Sequence, residues 1–447
     1  MRIAMNHFKL VWSDADASFE SRNLNAGQRK KYALTLLAVL ALAGLPMRTA
    51  QAATYTWTNA NVTGAATLDW FSGGPDTQAA WSLSAPTGAG LTNADTIQFF
   101  ADTATAFTNT TAVTQTSNIN NGGTAVQLQT LTLNGKGSGT SGANYTLTLS
   151  GDPLNFSAST GTINLNGVTN SRTVTYNLNS NIQLGTASSA DALTITGAGS
   201  DTFNIGGNIS ELQAGGGSVI KNGTSSANLS GILSQSGGVA VSGGALSLSN
   251  AGNTYAGGTT ISGGAEVNYA SDASLGNTSG GINFNGTGGY LFLSSGASVT
   301  LGANRTITVG NGATAFLGDS DINNNPETIT INGQITGAGG IDVGHYQLGT
   351  GVMNLNSTGN NFQGSVIIGT QAGLYQFQYS QETLNVASLA DGVGDGNIVF
   401  AQGNNSSGNT AIFAWSANAI APLVLNNRHI QIDRLQPLDR VRLHSLG

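Results

Sequence analysis

Few residues in this 447-residue chain can act as acids, bases, nucleophiles or metal ligands, and they lie far apart in sequence. The histidines are His7, His345, His429 and His444. His7 and His444 fall in terminal segments of unusual composition, which leaves His345 and His429 as bases. His345 follows Asp342-Val343-Gly344 and precedes Tyr346, with no Gly-x-Ser-x-Gly elbow and no Ser/His/Asp grouping nearby. It reads as a surface or turn histidine. There is no cysteine, which removes thiol nucleophiles, Cys-based metal sites and any disulfide framework.

The carboxylates Asp69, Asp152, Asp191, Asp201, Glu211 and Glu266 stand singly. Between residue 53 and the last fourteen, the basic residues are Lys136, Arg172, Lys221, Arg305 and Arg428. A site that cleaves polysaccharide needs grouped carboxylates, and here only stacking of distant strands could assemble one. Oxygen ligands alternate once, in Asp319-Ser-Asp321-Ile-Asn323-Asn-Asn325-Pro-Glu327, a pattern that suits Ca²⁺. Asn324 and Thr330 occupy the positions where an EF-hand requires Gly and Glu, so the segment reads as a polar connection between strands. Asp391-Gly-Val-Gly-Asp395-Gly has the outline of a single calcium nonapeptide, and one copy cannot build a stacked site. We therefore expect no catalytic residue, no cofactor and no metal.

The elements that would position these groups are short and alternating. Apolar pairs two residues apart, such as Leu131/Leu133, Tyr145/Leu147, Leu193/Ile195, Leu246/Leu248 and Ile329/Ile331, recur from residue 126 onward with turn residues between them. No stretch after residue 52 sustains a helical period, so almost no helix is expected. The clearest unit is Ala245–Tyr269, ALSLSNAGNTYAGGTTISGGAEVNY. It returns as Met353–Ile368: Leu248 matches Leu355, Gly252 Gly359, Asn253 Asn360, Tyr255 Phe362, Gly257 Gly364 and Ile261 Ile368, each 107 residues on. Ile205-Gly-Gly-Asn-Ile209 resembles Ile331-Asn-Gly-Gln-Ile335. Asn304-Arg305-Thr-Ile307 resembles Asn427-Arg428-His-Ile430, which gives the two arginines one place in a repeat and points to a structural role. A loose repeat of strand pairs predicts a solenoid, in which each coil touches only its neighbours. At roughly 20 residues per coil, residues 53–433 would form about 19.

Composition agrees with stacking. Glycine numbers 63 and charged residues make up only 8% of the chain, against about 25% in ordinary domains. With 39% apolar residues the chain is too hydrophobic for disorder. Its polar cover must be Thr, Ser and Asn, which can pair with like neighbours in adjacent rungs. Residues 53–447 keep 8 of the 15 Lys and Arg but 19 of the 22 acids, a net charge of −11 that disfavours nucleic acid as a partner.

The string from Leu248 to Gly264, L-S-x-x-G-N-T-Y-x-G-G-T-T-I-x-x-G, resembles the autotransporter-associated β-strand repeat of type V secretion passengers. The match is strong at 245–269, moderate at 353–369, and otherwise one of texture. The resemblance implies an all-β fold, a right-handed parallel β-helix (β-solenoid), carried to a Gram-negative cell surface. A second signature agrees. Met5-Asn6-His7-Phe8-Lys9-Leu10-Val11-Trp12-Ser13 resembles the extended signal peptide region of large exported proteins. It precedes a basic Arg29-Lys30-Lys31, an apolar Ala33 to Leu45, and Ala50-Gln51-Ala52. Residues 1–52 are thus expected to be an extended signal peptide, disordered or helical, cleaved between Ala52 and Ala53.

Residues 53–125 would be an N-terminal cap with the first coils. Its Trp57, Trp70 and Trp81 either cover the open end or form a sugar platform. Residues 126–433 would be the β-helix. The tail 434–447, with four charges in RLQPLDRVRLHSLG, reads as a frameshift or truncation. No run of alternating barrel strands with aromatic girdles is expected within these residues. The expected function is non-catalytic adhesion, display or a structural stalk, outside the cell or on the outer membrane. The expected partners are the Sec machinery and inner membrane during export, then host-cell or matrix glycans and proteins. The alternative is a polysaccharide-acting β-helix enzyme.

Overall fold

The computed structural model describes residues 52–57, 66–70, 91–92, 94–100, 112–135, 145–157, 160–167, 174–186, 191–199, 201–294, 298–319, 327–345, 350–368, 381–390, 392–400, 410–415, 425–432 and 440–445. Residues 1–51 of the expected signal segment, Lys136, Arg172, Trp81, residues 320–326 and Asp391 lie outside the described residues. Alternation decides the local structure. In Tyr145–Gly151, Tyr145, Leu147 and Leu149 are buried while Thr146 and Thr148 lie at the surface, as a two-residue period demands.

These strands stack in parallel, each on the strand one coil earlier. Among the described residues they form sheets of 14, 11, six and four strands. The chain visits the faces in turn: Ala192–Ala198 in the 11-stranded sheet, Thr202–Ile205 in the 14-stranded, Ile209–Glu211 in the four-stranded, then Val219–Lys221 back in the first. The six-stranded sheet, from Val299–Leu301 onward, serves as the third face in later coils. The result is an all-β parallel solenoid with its apolar residues enclosed. The one helical turn among the described residues is the 3-10 turn Asp272–Leu275, closed by a reciprocal Ser271–Ser274 cap.

The coils are fewer and longer than expected. Val219 pairs with Val239, 20 residues on, but Ile97 pairs with Leu131, 34 on, and Leu131 with Ile163, 32 on. Among the described residues the longest sheet has 14 rungs, against the expected number of about 19 coils. Stacking constrains only the strands, and the connections between them lengthen at little cost.

The 107-residue repeat has its basis at the bends. Asn253 Oδ1 accepts the Leu233 amide at 2.9 Å, and Asn360 Oδ1 accepts the Ile335 amide at 2.8 Å. Both are buried, as are Tyr255 and Phe362. Gly257 and Gly364 lie against the backbone of Gly238 and Gly339 in the preceding coil, where a Cβ would collide. The two bends nevertheless occupy different corners. Leu248 and Ile261 belong to the 14- and 11-stranded sheets, Leu355 and Ile368 to the six- and 14-stranded sheets. Ile205 and Ile331 show the same advance of one face, as do Ile307 and Ile430. The repeating unit is a strand–bend–strand, and it fits whichever corner it reaches.

The paired arginines tie these bends together. Arg305 is fully buried, pairs with the Asp272 carboxylate, and donates to the carbonyls of Leu275 (3.0 Å), Gly280 (3.0 Å), Asp272 (2.9 Å) and Gly276 (3.0 Å). Arg428 donates to the carbonyls of Ala390, Gly364, Gly396 and Phe362 at 2.5–2.8 Å. It also lies over the Phe362 ring, 5.8 Å from its centroid.

In the first rungs Trp57 and Trp70 flank Phe99, with centroids 5.6 and 6.1 Å from it, and Trp70 Nε1 donates to Ser117 Oγ at 2.6 Å. Both indoles are fully buried, so neither presents a face to a sugar. Within the tail, Arg440–Ser445 is a strand parallel to Thr410–Trp415.

Candidate functional site

The repeating outer surface follows from the same alternation. On the 11-stranded sheet Thr54, Thr96, Thr130, Thr162 and Thr194 stand in one row, continued by Ile220, Ala240, Thr260, Asn283, Thr308 and Thr336. No charge interrupts it. On the 14-stranded sheet Thr148, Asn177, Asn204 and Asn228 form a ladder in which each amide donates to the residue one rung before, at 2.9–3.5 Å. The later third face repeats this with Thr330, Asn354 and Asn385, at 3.2 and 2.7 Å.

The outer row of the 14-stranded sheet changes character midway. Glu266, Tyr290, Phe316 and Asp342 are successive partners. The Tyr290 and Phe316 rings stack at 4.5 Å, and Phe292 lies 5.3 Å from Tyr290. Burial first, then the nearby Asp342 and Glu266, raise the Tyr290 hydroxyl above its usual range. Asp342 is itself buried, and this together with the Glu382 carboxylate holds its acid well above the ordinary carboxyl range. Its Oδ1 has no hydrogen-bond partner among the described residues.

Three further acids face the interior at one bend. Asp319 is inward like Ala315 and Leu317, Glu327 like Ile329 and Ile331, and Glu382 like Leu384 and Val386. Glu327 and Glu382 lie on one line of paired positions, with Gly351 between them. Each of these acids opens or closes an alternating apolar series, a signal present in the sequence. Asp342 gave no such signal, because its parity is outward and only tertiary packing buries it.

The acids of the sequence reading mostly terminate loops. Asp152 accepts the Gly123 amide, Asp201 the Val174 amide, Glu211 the Gly217 and Ser236 amides, and Asp395 the Gly392 amide. Asp319 and Glu327, the ends of the proposed cation segment, are buried strand residues. No group of three or more His, Asp or Glu able to hold a metal occurs among the described residues. His345 pairs in register with Asp319, and His429 is exposed beside the buried Arg428. Lys221 points inward and donates to the carbonyls of Asn222 and Gly243 at 2.7 and 3.1 Å. Burial lowers its ammonium to about 8.

At the expected cleavage position, Ala52 is exposed and the Ala53 amide donates to Asp95 Oδ1 at 2.7 Å. No family model, curated protein or solved structure matches this chain.

Proposed function

We propose that this chain is an exported, passenger-type solenoid of a Gram-negative bacterium that works by display or adhesion rather than catalysis. The observation that carries the reading is the outer surface, where Thr, Ser and Asn recur rung after rung in rows about 4.8 Å apart. A single neutral polar contact in water contributes little. Many at fixed spacing multiply through effective concentration, which suits a partner that is itself repetitive, such as a glycan or a matrix protein. The leader-like residues 1–52 support export through the Sec machinery and inner membrane, with cleavage between Ala52 and Ala53. The outer membrane or the medium is then the place of action.

One observation favours the second reading, a polysaccharide-acting enzyme. Burial, and then the Glu382 carboxylate, raise the Asp342 acid well above its ordinary range, as in a general acid beside a second carboxylate. Both are buried, which weighs against it because a glycan must touch its acid.

The test is expression of the full chain in a Gram-negative host. Surface or supernatant location is measured, and the purified chain is then assayed on cells, matrix and neutral glycans. Adhesion predicts binding with no new sugar ends. A stalk would bind nothing. Release of glycan ends that D342N abolishes would replace our reading with the enzymatic one.

A further inference from the structure

The strand Thr54–Trp57 starts one residue after Ala53, and that residue is held on both sides. Its nitrogen lies 2.7 Å from Asp95 Oδ1, and its carbonyl accepts the Thr96 amide at 2.8 Å. Asp95 is 4% exposed. Its second oxygen accepts the Thr92 amide at 2.7 Å and the Thr92 hydroxyl at 3.0 Å. Its backbone carbonyl receives the amides of Gln129 and Thr130, from the third strand of the same sheet, at 2.9 and 3.2 Å. Asp95 thus links the first three rungs, its carboxylate reaching the first and its backbone carbonyl the third. Its three side-chain partners are all neutral, and no Lys, Arg or His pairs with it among the described residues. A buried carboxylate with neutral donors alone is incompletely compensated.

We propose that cleavage between Ala52 and Ala53 completes this site, by turning the Ala53 nitrogen into an α-ammonium that pairs with Asp95. Water adds across the peptide bond. Ala52 leaves as a carboxylate, and the Ala53 nitrogen takes up the hydrogens that make it –NH₃⁺ at neutral pH. The nitrogen is already within bonding distance, so no backbone movement is needed. A hydrogen bond charged only at its acceptor becomes an ion pair, charged at both ends. Processing would then strengthen the hold on the rung that carries Trp57 against Phe99, which in the leader-bearing chain is a hydrogen bond without the second charge. The inference rests on the export reading for its protease and adds a consequence of cleavage that export alone does not require.

The experiment begins with the N-terminus of the exported chain, read by mass spectrometry; a start other than Ala53 overturns the proposal. Hydrogen exchange is then followed at the amides of Thr96 and Phe100, whose acceptors are the Ala53 and Trp57 carbonyls. Four proteins are compared: chains beginning at Ala53 or at Ala52, each with Asp95 intact or as D95N. With Asp95 intact, retaining Ala52 should speed exchange about tenfold, the size of one partly buried ion pair. D95N should remove that difference, since a coupled pair is non-additive. Equal exchange for the two starts with Asp95 present, or additive effects, overturns the pair. If the chain is never exported, the functional reading falls, and the same cycle on chains trimmed in vitro still decides the pair.

Discussion

Replacing Arg305 with methionine keeps most of the stem volume and removes the guanidinium. Four carbonyls within 3.0 Å, those of Asp272, Leu275, Gly276 and Gly280, lose their donor. The Asp272 carboxylate, 18% exposed, loses its partner. Breaking a buried pair costs about 3–5 kcal/mol because the surviving partner stays desolvated. Summing the individual charged hydrogen bonds would overshoot, since they share one side chain. We take about 4 kcal/mol, close to three decades in a local opening constant. Neighbour-only contacts confine the damage, so native-state exchange is a sharper assay than a melting curve. The amides of Gly276 and Gly280, bonded to the carbonyls of Ala273 and Asn277, should lose about a thousandfold protection, while those near Leu131 change little. Arg305→Lys should recover only part, because one ammonium cannot reach carbonyls spread around the bend. A loss below about 1 kcal/mol, or one spread evenly along the solenoid, would refute the reasoning.

Asn253→Ala and Asn360→Ala should each strand a buried backbone amide, that of Leu233 or Ile335, at about 1–3 kcal/mol by urea unfolding. The cost at Asn253 should be larger, since its Nδ2 also donates to the Ser274 carbonyl at 2.8 Å whereas the Asn360 Nδ2 has no partner among the described residues. The fold holds a proton on Asp342 that the unfolded chain releases above a pH of about 3.9. Its contribution is therefore fully present at lower pH and is lost as pH rises toward the raised folded value. Urea midpoints measured from pH 4 to 8 should decline, and D342N should flatten the decline.

Much of this architecture was readable because two-residue alternation is a local property. Leu246 and Leu248, or Ile329 and Ile331, face inward where the pattern puts them. The shared place of Arg305 and Arg428 was also readable, and both prove to gather carbonyls at a bend. The number of coils was not, because the connection before Leu131 or Ile163 leaves no periodic trace and only pairing reveals its length. Equally hidden was the corner each repeat occupies, since the string around Asn253 reads like that around Asn360 on whichever face it lands. Among the acids, Glu327 and Glu382 advertised inward positions by continuing the alternation of Ile329 and Leu384. Asp342 could not, since its surroundings come from residues distant in sequence.

Because one string closes bends at two different corners, a gene for such a molecule can lengthen by copying a fragment without counting turns. A duplicated piece that ends a third of the way round turns everything downstream to a new bearing and leaves the enclosed aliphatic column uninterrupted. Ladders that once looked out together then part company, and others come into line. Variation in what such a shaft exposes can thus arise from slippage alone, with no residue of its interior redesigned.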